Sequence, residues 1–223
     1  MRKFIFFLIP FLSLASSGLP KDTETSQSAL IAEEHISRGN EWIKNQHYQE
    51  AAREYQRALE VDSKNVQVHL LLGLTYVQLG KLDEALQHTQ KASQLDPGYA
   101  AFYQLGLIYA AKRQQERAIE AFDQALKISP GSYMTQYQKG LVYTGQKAYE
   151  KAIACYERAV QLNPQFDDAY LALGAAYYQS GNKAAAFQQV QELRKANKQK
   201  TADGLEAWLK EKETTATPPS SSS

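Results

Sequence analysis

The sequence predicts an all-α chain in which one helical hairpin is repeated five times and stacked into a solenoid. Two observations carry this. Gly39, Gly73, Gly106, Gly140 and Gly174 fall 34, 33, 34 and 34 residues apart, and the same residue types follow each of them at fixed distances. Three residues on stands an aromatic (Trp42, Tyr76, Tyr109, Tyr143, Tyr177), and twelve on an alanine (Ala51, Ala85, Ala118, Ala152, Ala186). Nineteen on comes a second alanine (Ala58, Ala92, Ala125, Ala159), with Leu193 in the fifth copy. A small residue lets two helices approach, an aromatic fills the space beside it, and Pro97, Pro130 and Pro164 stop the second helix.

Taken in chain order, the first segment is a leader. Arg2 and Lys3 precede an apolar run from Phe4 to Leu14, which small residues follow, the order of a secretory signal; the run is far shorter than the ~20 residues that span a bilayer. Residues 1–17 are therefore expected to direct export to the periplasm or exterior and to be cleaved after Ser17; an uncleaved anchor is the alternative. Residues 18–31, rich in Ser, Thr, Gln and charge, predict a flexible lead. The repeat domain covers 32–200, in units of about 32–65, 66–98, 99–132, 133–166 and 167–200. Leu205, Trp208 and Leu209 then recur at helical spacing, with Asp203 and Glu206 placed as a capping box, so 201–213 predict a helix covering the open end of the stack. Trp208 is read there as structural. Residues 214–223, nearly all Thr, Pro and Ser, predict a disordered tail.

Composition narrows the function. Twenty-five basic residues against 24 acidic ones leave no global basic surface, which argues against nucleic acid held through phosphate neutralisation. Cys155 is the only cysteine, so no internal disulfide forms and its expected place is between helices. His35 and His69 each lie four residues before a repeat glycine and are expected side by side on equivalent helices, but two ligands do not make a zinc site. Gly73 to Lys81 has the wrong glycine spacing for a phosphate loop, and no nucleophile elbow or zinc-protease motif occurs. No catalytic, cofactor or metal residues are expected. Arg194, Lys195, Lys198 and Lys200 read as a solvated helix end, with weak contact to an anionic membrane as the alternative.

The units resemble the tetratricopeptide repeat, most closely at LGLTY (72–76), LGLIY (105–109) and LGAAY (173–177). Unit one departs with Arg38 before its glycine and Ser63 in place of proline, and unit four with Lys139 before Gly140; the resemblance spans roughly 32–196. It implies a right-handed solenoid that binds protein and does not catalyse, the first helix of each hairpin lining a concave groove. Carried over position by position, the groove would be Ile36 and Asn40 in unit one and Leu70, Leu74 and Val77 in unit two. Tyr103 and Leu107 follow in unit three, Tyr137 and Leu141 in unit four, and Leu171 and Tyr178 in unit five. The helix from Val66 to Leu79 is apolar round more of its circumference than a single stripe requires, which fits two apolar neighbours; flanking helices covering all of it is the alternative. Of the positions with which some members clamp a chaperone's carboxylate tail, only Asn40 matches, while Ile36, Leu71, Ala100 and Gln104 fill the others. The expected partner is an apolar peptide or helix of an envelope protein, in pilus, secretion or outer-membrane assembly, with no nucleic acid and no small-molecule substrate. A self-associating structural protein, its groove covered by another copy, is the rival, and monomer or homo-oligomer stays open.

Overall fold

The computed structural model describes residues 21–216, with side chains over 27–215. Five antiparallel hairpins follow one another: α1 (Lys21–Lys44) with α2 (Tyr48–Val61), α3 (Val66–Gln78) with α4 (Leu82–Leu95), and α5 (Tyr99–Ala111) with α6 (Gln115–Ile128). Then come α7 (Tyr133–Gly145) with α8 (Tyr149–Leu162) and α9 (Asp167–Gln179) with α10 (Lys183–Lys195), and α11 (Gln199–Ala216) lies on the last pair. The described residues form no strand. Successive first helices touch one another substantially from α3 to α11, whereas second helices touch only first helices, so the stack bends toward its first helices and they line the inner face.

Units one, three and four close on the repeat glycine in the same way. A methyl group on Gly39, Gly106 or Gly140 would run into the ring of Tyr55, Phe122 or Tyr156 sixteen residues later, and all three rings are fully buried. Ala51, Ala85, Ala118, Ala152 and Ala186 are buried likewise, since the helix crossing leaves no room for a larger side chain. The turn inside each hairpin ends on a left-handed residue seven after the glycine: Gln46, Gly80, Arg113, Lys147 and Gly181. Caps start other helices, the side chains of Asn65, Ser132 and Asn182 accepting from Val68, Thr135 and Ala185 backbone N–H at 3.0, 3.2 and 3.1 Å.

Between units, the aromatic three residues after the glycine reaches back. Gln56 Nε2 donates to Tyr76 Oη (2.8 Å), Gln90 Nε2 to Tyr109 Oη (3.1 Å), and Tyr177 Oη donates to Glu157 (2.5 Å). Burial, with Glu157 beside it, pushes the Tyr177 phenol up to about 12. At the remaining junction Lys139 of α7 donates to Asp123 of α6 (2.5 Å) and lies over Tyr143, which accounts for the lysine before Gly140.

The two ends of the stack are closed differently. Five before, one before and two after the glycine, units two, three and five bury Val68, Leu72 and Thr75, then Ala101, Leu105 and Ile108, then Ala169, Leu173 and Ala176. Unit one has Glu34, Arg38 and Glu41 at those positions, all exposed among the described residues, with Arg38 bonded to Glu34. At the other end Ala202, Leu205 and Leu209 of α11 are buried against α9 and α10.

Three expectations are corrected. The segment read as a flexible lead is helical from Lys21: no Pro or Gly separates Lys21 from Gly39, and Ala32 and Ile36 anchor the helix by burial, after which extension costs little. Asp203 and Glu206 do not cap α11, which begins at Gln199; they lie within it and take Arg194 at 3.4 and 2.5 Å. The expected tail is helical through Ala216, with Thr214 and Thr215 hydroxyls donating to the Glu211 carbonyl. The leader of residues 1–17 and the rest of the tail lie outside the described residues. No described helix is long and apolar enough to cross a membrane.

Candidate partner-binding groove

The inner face carries three exposed leucines on three helices: Leu74 of α3 (48% exposed), Leu141 of α7 (40%) and Leu171 of α9 (36%). Each is presented by the helix geometry that buries its neighbour, Gly73 or Gly140 one residue earlier, or Tyr170 before Leu171. Between them Leu70, Val77, Tyr103, Leu107, Tyr137 and Tyr178 are half-buried. Tyr103 stacks on Tyr99 and leans on Phe122, and Tyr137 packs edge-on against Phe166 at 4.9 Å and tilts over Tyr156. These rings are therefore fixed walls rather than mobile side chains. Burial pushes both phenols up, with Tyr99 and Tyr133 adding to the effect on Tyr103 and Asp168 to that on Tyr137.

Ile36 is not part of this face. It is 6% exposed and packed in the cluster of Ala51, Ala52, Tyr55 and Leu72, where it serves the first hairpin. Asn40 is exposed, and its side-chain oxygen accepts from Tyr55 Oη at 2.7 Å. Gln104, another of the clamp positions, is buried and donates to the Leu70 carbonyl at 3.1 Å, tying α5 to α3.

Toward the C-terminal end the face deepens into an open cavity of about 840 Å³ between α7, α9 and α11. Tyr137, Leu171, Ala172, Ala175, Leu205 and Trp208 give it apolar walls; Asp167, Asp168 and Lys200 stand at its edges. Trp208 meets Tyr178 edge-on at 5.7 Å. Sequence reasoning placed Trp208 in the cap alone. The signal that it also lines the groove is that α11 stacks on α9 as α5, α7 and α9 each stack on the first helix before.

The other candidate side chains have partners or burial within the stack. His35 and His69 each bond within their own hairpin: His35 Nδ1 to Glu54 at 2.7 Å, and His69 Nδ1 to His88 Nδ1 at 3.0 Å. No group of three metal-ligating side chains occurs among the described residues. Cys155 is buried, and burial raises its thiol pKa. Most of the basic run is paired, Arg194 with Asp203 and Glu206, Lys195 with Glu192, and Lys198 with Asp167.

Comparison with known proteins agrees with this architecture. Two family models described as tetratricopeptide repeat match residues 37–100 and 99–132, and one described as TPR repeat matches 140–181. The Hsp70-Hsp90 organizing protein of Triticum aestivum is 30% identical over 115 residues, which is 50% of this chain and 20% of that protein. The chloroplastic tetratricopeptide repeat domain-containing protein PYG7 of Arabidopsis thaliana is 28% identical over 126 residues, 54% of this chain and 41% of its own. The chain thus spans about a fifth of the organizing protein's length and less than half of PYG7's. Among solved structures, MamA superposes with a TM-score of 0.69 at 28% identity, covering 75% of this chain and 93% of MamA. YrrB, described as a TPR protein with an unusual peptide-binding site, gives 0.64 at 20% identity, covering 84% and 96%, a likeness of fold.

Proposed function

Since the chain belongs to the tetratricopeptide repeat family, whose members mediate protein–protein interactions, we propose that it is a non-enzymatic adaptor holding an apolar peptide or helix of a cell-envelope protein against its inner face. The observation that carries this reading is the row of Leu74, Leu141 and Leu171, exposed on three helices and joined by rigid tyrosines, an apolar surface that soluble proteins seldom leave uncovered. The middle of the face bears no charge at the groove positions, so an apolar segment loses no ion pair on docking. The peptide-binding site named for YrrB supports peptide recognition by this fold. Export rests on the leader of residues 1–17 and makes assembly of a pilus, secretion or outer-membrane complex the setting. A chaperone's carboxylate tail fits poorly, because Leu71, Ala100 and the engaged Asn40 and Gln104 supply no cation to receive it.

The test is affinity capture from solubilised envelope by residues 18–223, beside Leu74→Glu with Leu141→Glu. An envelope protein retained by the parent and lost by the variant is the expected result. A second copy of the chain retained instead would transfer the face to self-association, and identical recoveries by both baits would remove the groove from the function.

A further inference from the structure

Unit two contains a pair of imidazoles that face each other inside the hairpin. His69 of α3 and His88 of α4 face each other with their Nδ1 atoms 3.0 Å apart, and His69 Nε2 lies 3.2 Å from the carbonyl oxygen of Ser63 in the turn between α2 and α3. His69 is buried, and the ring of Tyr76 stacks on His88. A carbonyl only accepts, so His69 carries its proton on Nε2. Its Nδ1 is then the acceptor, and His88 must donate Nδ1–H. The contact fixes both tautomers and ties the preceding turn, α3 and α4 together.

We propose that this pair is an acid-sensitive latch on the second repeat, closed while at least one imidazole is neutral and released when both are protonated. The first proton adds to His88 Nε2 and leaves the N–H···N bond in place. The second has only His69 Nδ1 to take, which sets two N–H groups and two positive charges head to head. Burial lowers the His88 pKa, and a positive charge on His69 lowers it further, so the doubly protonated pair is disfavoured in the folded chain. The folded chain therefore binds fewer protons than the unfolded one, and stability falls as pH drops below about 6.5, the ordinary imidazole value.

The groups contributed by the surrounding elements do not offset this. The α4 helix brings Lys91 into the same cleft, and Asp62 and Lys64 in the turn oppose each other in sign. Glu84 acts on Tyr76, whose hydroxyl accepts from Gln56 of α2 and whose face lies under Lys81. From α5, Tyr109 engages Gln90. Only His69 acts electrostatically on His88. The α3 helix also presents Leu70, Leu74 and Val77, so release of the latch loosens that part of the inner face.

Hydrogen–deuterium exchange of the full chain at pH 7.5 and 5.0, corrected for intrinsic rates and run with EDTA, tests the latch. Amides of α3 and α4 are expected to lose at least tenfold more protection than those of α7 and α8 on acidification. The variant His88→Gln, which keeps a donor for His69 and cannot take a proton, is expected to abolish that difference. Equal losses in both hairpins, an undiminished acid loss in the variant, or a loss seen only when EDTA is omitted would overturn the proposal, the last assigning the pair to a metal. Should the variant not fold, imidazole nitrogen shifts of the parent decide. His69 as the Nε2–H tautomer, His88 as Nδ1–H, and two separate titration steps support the latch, whereas the opposite tautomers or one shared step near 6.5 refute it.

Discussion

Gly140 and Leu141 are neighbours on α7, yet one belongs to the seam inside a hairpin and the other to the inner face of the stack. At Gly140 no side chain fits, because the buried ring of Tyr156 occupies the space where a methyl group would go. Leu141 is 40% exposed and belongs to none of the buried clusters among the described residues. The seam is dictated by shape and the face is free of that demand. Where the fold asks for nothing and the sequence still supplies large apolar residues, function is the remaining constraint.

The substitution that strains this contrast most is Gly140→Leu. It overpacks a closed seam between two backbones that cannot part without disturbing units three and five, and a loss of about 3 kcal/mol is expected in denaturant unfolding. Unfolding near the parent midpoint would mean that Tyr156 swings away cheaply and the seam is not closed. Second comes Glu54→Gln, which probes a seam held by charge. Burial raises the Glu54 pKa, but the hydrogen bond from His35 and the charges of Arg57, His35 and Arg38 outweigh it and leave the carboxyl below its usual range. A depressed carboxyl contributes stability above its unfolded pKa, about 4.5, and that stability is lost as pH falls through the folded value. The parent should therefore lose melting temperature over the interval below about pH 4.5, as the folded carboxyl takes up its proton. The variant should start lower at pH 7 and fall less over that interval; parallel profiles would show that the His35–Glu54–Arg57 cluster is energetically idle.

The same position pair, four before and fifteen after the repeat glycine, is His35–Glu54 in unit one and His69–His88 in unit two. Protonated imidazole improves the first and opposes the second. Acid that protonates both imidazoles of unit two is thus expected to leave the first hairpin closed while it opens the next.

On the inner face the expected effects are smaller. Leu74→Glu with Leu141→Glu should abolish partner capture and change unfolding free energy by no more than about 0.5 kcal/mol for each substitution, as at other exposed positions. A collapse of helicity would make these leucines core and erase the difference between face and seam.

How much of this was legible in the sequence follows the same division. The seam was, because two helices that cross closely need small residues at the crossing, and these recur at fixed distances from Gly39 to Gly174, with the glycine under an aromatic ring in units one, three and four. The face was legible only as a set of positions. Ile36 occupies the same place in its unit as Leu70, Tyr103, Tyr137 and Leu171, but it is buried in the first hairpin's own cluster, and exposure of that kind depends on neighbours in other units. Arg38, a departure from the repeat pattern, stands in the first described hairpin, where no other described helix covers it. Trp208 escaped notice as a groove residue because α11 has no repeat glycine to align it. The imidazole pair was hidden by its separation of 19 residues, though the offset that joins His35 to Glu54 would have found it.

The smallest effect separates the seam from the turn that closes it. Gln46, Arg113 and Lys147 are left-handed at φ of 61°, 58° and 58°, where Gly80 and Gly181 stand in units two and five. An L residue in this conformation is disfavoured by roughly 1 kcal/mol, because its Cβ crowds the carbonyl oxygen that follows. Glycine removes that cost but gives the unfolded chain more freedom, so the two effects oppose. Arg113→Gly is therefore expected to raise stability by no more than about 0.5 kcal/mol. It does so without touching Gly106, Phe122 or the inner face. A clear loss in the unfolding midpoint would show that the Arg113 side chain supports the hairpin through its place beside the cavity shared with Leu141 and Val142, and that turn and face are coupled there. A small gain with partner capture unchanged would show that the turn sets only the geometry of the hairpin.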